Sequence, residues 1–186
     1  MKDHPLIWII IGISGAGKTS VGRLLAERLE CDYLEGDRRH PPLNIVKMLS
    51  GTPLQDEDRQ QWLLEIEDDI KRAIERNRET VLTCSALKVL YRKQLTFSNQ
   101  VQLVCLDVPE LELRRRLTQR SNHYMKVEML DSQIATFEQI VEEEKVICVD
   151  GLQPTVEIVN ELLSKAAILF PKMKESWWQR CIYVVP

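Results

Sequence analysis

The sequence predicts an α/β fold, a mainly parallel five-stranded sheet covered by helices on both faces. Three observations carry this reading. Short apolar, β-rich runs recur at residues 6–11, 80–84, 101–107 and 145–149, with a weaker one at 32–35, and helical periodicity follows each run. The central runs are apolar throughout, as strands buried on both faces are. Strands alternating with helices call for crossover connections and hence parallel pairing.

Taken in order, the run at 6–11 ends in a glycine-rich loop, after which Val21, Leu24, Leu25 and Leu29 recur at helical spacing. The clearest helix spans 56–77, with Trp62, Leu63, Ile66, Ile70, Ala73 and Ile74 in one apolar stripe and Asp56 as its N-cap. Further helices are expected over 86–97, 109–120, 130–143 and 154–167, the second of these opening on a proline whose missing N–H goes unused there. Residues 121–130, polar and without periodicity between two helices, read as a small lid. The domain is expected over 1–167, followed by an apolar extension, 168–186, that carries Phe170, Trp177 and Trp178 and whose default is to pack on its own chain.

Composition narrows the function. With 44% hydrophobic and 28% charged residues, the 186-residue chain is an ordinary globular one. A formal charge of −3 leaves no global field for nucleic acid or an anionic membrane, so any anion site must be local. Five scattered cysteines without a C-x-x-C pair suggest reduced thiols in a cytoplasmic protein. The apolar run after Lys2 and Asp3 is too short for a signal peptide, and no stretch approaches a membrane span.

Residues 12–19, Gly-Ile-Ser-Gly-Ala-Gly-Lys-Thr, match G-x-x-x-x-G-K-[ST] in full, between a predicted strand and a predicted helix. The backbone N–H groups of Gly12, Ser14, Gly15, Ala16 and Gly17, with Ser20 just beyond, can converge on the phosphates of ATP at the positive helix end. Lys18 then reaches the β- and γ-phosphates, and the Thr19 hydroxyl coordinates Mg2+. The fold expectation becomes a P-loop three-layer sandwich.

The acceptor side is read from two other strand ends, since ligands of open α/β sheets bind at the strand carboxyl ends. Asp37, just past the second strand, can accept a hydroxyl proton, although Gly-Asp is also common turn chemistry. After the third strand, Lys88 and Arg92 lie four residues apart and can both face the crevice, or form a solvated basic face. Arg59, in the first turn of its helix where a cation is disfavoured, either pairs with Asp56 or Asp58 or binds an anionic substrate group. Arg116 and Arg120, again four apart and next to the lid, can close over the ATP phosphates.

Together these blocks resemble the gluconokinase family, relatives of shikimate and nucleoside monophosphate kinases with an adenylate-kinase-like fold. The likeness rests on the loop at 12–19; on Gly36-Asp37 with His40-Pro41, Asn44 and Lys47-Met48; on Gly51, Pro53-Leu54, Asp56, Asp58-Arg59 and Trp62-Leu63; and on residues 84–88 with Tyr91-Arg92. Arg116-Leu117, Arg120, His123, Leu130 and Ser132-Gln133 look like its lid. The resemblance implies transfer of a phosphoryl group from ATP, with Mg2+, to D-gluconate, in a cytoplasmic enzyme that is often a homodimer. It implies Asp37 as base or orienting group, with Lys18 and Arg120 serving catalysis. His40, Arg59 and Arg92 would hold the polyol and its carboxylate, while Thr19, Arg116 and Arg120 serve ATP. Two departures stand out: Glu35 where many relatives have Asp, and Asn122 at a lid position that is often Gly. A kinase for another hydroxylated acceptor, and a nucleotide-binding regulator without activity, are the competing readings.

Overall fold

The computed structural model describes residues 7–119 and 128–171. The strands are β1 (Ile7–Ile11), β2 (Asp32–Glu35), β3 (Thr80–Thr83), β4 (Val101–Asp107) and β5 (Ile147–Asp150). They form one sheet in the order β2-β3-β1-β4-β5 with every pairing parallel. The helices are α1 (Lys18–Leu29), α2 (Pro42–Leu49), α3 (Asp56–Glu75), α4 (Val89–Leu95), α5 (Glu110–Thr118), α6 (Glu128–Thr136) and α7 (Thr155–Leu169). Among the described residues no helix is long and apolar enough to cross a membrane.

Side-chain alternation along β1 explains the three layers. Trp8 and Ile10 enter a core with Val21 and Leu25 of α1 and Ile158, Leu162 and Leu163 of α7. Ile7, Ile9 and Ile11 enter the opposite core with Trp62, Leu63, Ile66 and Ile70 of α3 and Tyr91 and Leu95 of α4. The edge strands are less enclosed: β2 is half-buried along its length, and β5 alternates buried Ile147 and Val149 with exposed Cys148 and Asp150. That is why β2 gives the weakest apolar run in the sequence.

Several boundaries differ from expectation, each for a local reason. Ala86 adopts φ +40°, outside the right-handed helical region, so α4 begins at Val89 rather than at 86. Residues 137–146 leave the helix after Thr136 and run as a strap, with a 3-10 turn at Glu142–Glu144, before entering β5. Asp56 is the first helical residue of α3, and the cap is Gln55, whose N–H donates to Asp58 Oδ2 at 2.9 Å. α2 was not anticipated; it opens on Pro42 and turns Asn44 and Met48 inward. α7 runs on to Leu169, and Phe170 packs edge-on against Trp8 with ring centroids 6.3 Å apart. Asn122, most of the expected lid and the extension beyond residue 171 lie outside the described residues.

Candidate active site

Three loops meet at the carboxyl edge of the sheet. The first follows β1, where Gly15 and Gly17 take φ of +90° and +98°, conformations that a side chain would strain, and Gly17 caps α1. The second is the 3-10 turn Gly36–Arg39 after β2, which carries Asp37. A Cβ at Gly36 would lie 2.4 Å from the Thr83 carbonyl oxygen, so only glycine lets this turn lie against β3. The third is the segment after β3, whose Ser85 carbonyl accepts the Gly12 N–H at 3.3 Å.

On the donor side, Lys18 Nζ donates to the carbonyls of Gly12 and Ile13 at 2.9 and 3.1 Å. The Thr19 hydroxyl donates to Glu35 Oε2 at 3.0 Å, and Glu35 also accepts the Tyr33 and Thr83 hydroxyls at 2.6 and 2.5 Å. Glu35, the departure noted in the sequence, is therefore held by three hydroxyls. Burial and this carboxylate push the Tyr33 phenol up to about 12, so it remains a donor. Thr19 and Glu35 present hard oxygen donors of the kind Mg2+ takes, and so fit that ion beside a nucleotide.

Beside the loop lies an open groove of about 380 Å³, lined by residues that include Gly15, Gly17, Ser20, Arg116, Gly151 and Gln153. Arg116 donates to Gly151 O at 2.8 Å and to the Gly15 and Ala16 carbonyls at 3.4 and 3.3 Å, and pairs with Glu112 at 2.7 Å. Arg120, the other expected cation of this side, lies outside the described residues.

On the acceptor side, Lys18, Asp37, His40, Arg59 and Ser85 line one cavity, floored by Trp62 and walled by Met48, Leu54 and Met129. His40 stacks on Trp62 with centroids 4.5 Å apart and planes 9° from parallel, and Trp62 in turn donates to Gly36 O at 2.8 Å. Burial lowers the His40 pKa to about 4, with Asp37 opposing the shift and Arg59 adding to it, so the imidazole is neutral near pH 7. Arg59 lies 3.7 Å from Asp56 and over the Tyr91 ring. Arg59 therefore has the acidic neighbour expected of it and also lines the cavity.

The pair Lys88 and Arg92 separates. Lys88 is the cap of α4, in an extended conformation, so the two do not share a helix face. Its Nζ grips Asp56 at 2.8 and 2.6 Å. Hydrogen bonds from Lys88 and then Tyr91 hold the Asp56 carboxyl below the usual range. Arg92 points the other way, is fully buried and pairs with Glu144. The expectation that Arg92 holds substrate is corrected for the described conformation: its guanidinium is taken up by protein acceptors and is not among the groups lining the cavity.

Sequence reasoning also missed how Gln133 serves the site. From α6 its Oε1 accepts the Ser14 N–H at 2.8 Å, and it lines the acceptor cavity. No periodicity marks such a residue; only its place beside the expected lid hinted at it.

A sheet of this order, a phosphate loop after β1 and a cation-lined cavity facing a carboxylate define a P-loop kinase of small molecules. The AAA domain family matches residues 7–141. The gluconokinase of Gluconobacter oxydans (strain 621H) is 40% identical over 164 residues, which is 88% of this chain and 92% of that protein. A gluconokinase crystal structure from Sinorhizobium meliloti 1021 superposes with a TM-score of 0.79 at 37% identity, covering 89% of this chain and 94% of that one. Shikimate kinase from Aquifex aeolicus, 20% identical with a TM-score of 0.58 over 84% of this chain and 94% of its own, shares the fold. The chain belongs to the gluconokinase family.

Proposed function

We infer that the chain is a kinase that transfers the γ-phosphoryl group of ATP to a hydroxyl of D-gluconate, giving 6-phospho-D-gluconate and ADP. The observation that carries this, beside the family, is the meeting of Lys18, Asp37, His40 and Arg59 around one cavity at the mouth of the phosphate loop.

The triphosphate takes the N–H groups of the loop, and Lys18 exchanges the Gly12 and Ile13 carbonyls for phosphate oxygens. Mg2+, held by Thr19 with Glu35 behind it, would neutralise charge on the phosphates. Arg116 borders the groove that suits the rest of the nucleotide, and Arg120 would add a cation over the phosphates. Asp37 orients the acceptor hydroxyl and takes its proton as the oxygen attacks phosphorus and the bond to the ADP oxygen breaks. Neutral His40 hydrogen-bonds the polyol, and Arg59, with Lys88 across Asp56, balances the carboxylate of the acid. In the described conformation the cavity is small, about 40 Å³.

We place the enzyme in the cytoplasm, which suits the free thiols of Cys31, Cys84, Cys105 and Cys148, and allow it a homodimer, which light scattering would test. Activity is tested by ADP release from Mg-ATP with gluconate, other sugar acids, shikimate and nucleoside monophosphates, with the product identified by mass. Turnover confined to gluconate is expected. Turnover on another acceptor would overturn the substrate, and ATP binding without any turnover would favour a regulator.

A further inference from the structure

Arg92 is the one arginine among the described residues that is wholly buried, and its guanidinium donates to acceptors of two separate segments. Nε and Nη2 donate to Glu144 at 2.5 and 3.0 Å, and Nη2 also reaches Gln139 O at 3.3 Å, both on the strap after α6. Nη1 donates to the carbonyls of Leu87 and Ala86, at 2.9 and 3.4 Å, on the segment after β3. Glu144 is itself tied locally, accepting the Val141 N–H at 3.1 Å.

The segment that Arg92 grips is conformationally demanding. Ala86 is a non-glycine residue at φ +40°, a conformation that persists only where its surroundings hold it. Its two neighbours, Ser85 and Leu87, line the acceptor cavity, and the Ser85 carbonyl accepts the P-loop Gly12 N–H. The strap makes its own bonds to the same place: the Glu138 N–H donates to Leu87 O at 2.9 Å, and Glu138 Oε2 accepts the Val89 N–H at 2.6 Å. Upstream, α6 supplies Met129, Ser132 and Gln133 to the cavity, with Gln133 on the Ser14 N–H.

We propose that Arg92, paired with Glu144, is a positioning residue that fixes the acceptor wall: it holds the Ala86 turn in place and locks that wall to the strap returning from α6. A buried ion pair is a poor source of net stability compared with apolar packing, which leaves geometry as the reason for one here. The planar fork is what reaches two segments at once; a lysine offers one point of charge and cannot. Because the strap also continues from the helix that touches the phosphate loop, the clamp keeps acceptor wall and donor loop in register.

This inference rests on the acceptor reading of the cavity for its kinetic test, so that test is joined to one independent of the substrate. In Arg92→Lys, KM for gluconate should rise about tenfold or more while the affinity for ATP stays within about twofold, the fold-changes expected for losing charge-assisted hydrogen bonds on one side only. Adding Ala86→Gly, which adopts a positive φ without strain, should recover part of the lost KM. Hydrogen exchange of a peptide spanning residues 85–88 should speed up in Arg92→Lys while β1 and β4 keep wild-type protection. Glu144→Gln, nearly isosteric, serves if Arg92→Lys does not fold, with the same expectations. A wild type that ignores gluconate would sink the substrate reading, and the exchange measurement would then decide this one. Unchanged exchange and KM in folded variants would overturn the clamp, as would gluconate and ATP parameters that decline together with the folded fraction.

Discussion

The donor and acceptor halves of the crevice are built from different materials. The donor half is mostly backbone: a loop of residues 12–19, its glycines in left-handed conformations and its lysine resting on its own carbonyls. The acceptor half is mostly side chains from distant elements: Asp37 after β2, His40 before α2, Arg59 on α3 and Ser85 after β3, with Trp62 beneath. A backbone cradle is local, so one short motif encodes it. A side-chain constellation depends on packing over long sequence separations, and each member taken alone has an ordinary explanation.

The contrast predicts different failures. Lys18→Met should cost the largest factor, about a thousandfold in turnover, because it removes a charge that stabilises the transferring group while leaving the loop backbone in place. Arg59→Lys should act on one half only, raising KM for gluconate by about tenfold to a hundredfold with KM for ATP nearly unchanged, as expected for one lost charge-assisted contact. Steady-state kinetics with each substrate varied in turn checks both. An equal effect of Arg59→Lys on both KM values would break the division into halves.

Gly36→Ala tests the fit of the second loop against β3. The added Cβ would meet the Thr83 carbonyl at 2.4 Å and the Cys84 Cβ at 3.0 Å, so the denaturation midpoint in urea should fall by an amount equivalent to about 1–3 kcal/mol. The last test concerns His40 and is confined to acid pH. Its folded pKa of about 4 lies below the ordinary value of 6.5, so the unfolded chain binds the extra proton in that window. The His40 contribution to stability is therefore complete above about pH 6.5 and is lost as the pH falls through 4. His40→Gln should flatten that part of the pH dependence, measured by urea unfolding across the window.

The fold was largely legible because parallel strands buried on both faces write themselves as apolar runs and the helices packed on them as stripes. What escaped was set by tertiary contact. α2 is short, and its outward face carries exposed Leu43, Val46 and Leu49, so its pattern does not mark a surface helix in the usual way. The spacing of Lys88 and Arg92 implied one shared face, yet the positive φ of Ala86 delays the helix and sends the two side chains to opposite tasks. Glu35 read as a departure from the family; only the fold brings the hydroxyls of Thr19, Tyr33 and Thr83 to it.

The most direct test of a crevice that joins ATP to gluconate is to measure ATP affinity and 6-phosphogluconate formation in parallel on Asp37→Asn. Wild-type ATP affinity is expected with turnover reduced by about a hundredfold or more, since Asp37 lines the acceptor cavity and is proposed to orient the hydroxyl there. Undiminished turnover would contradict the role of Asp37, and an equal loss of ATP affinity and turnover would contradict the separation of the two halves.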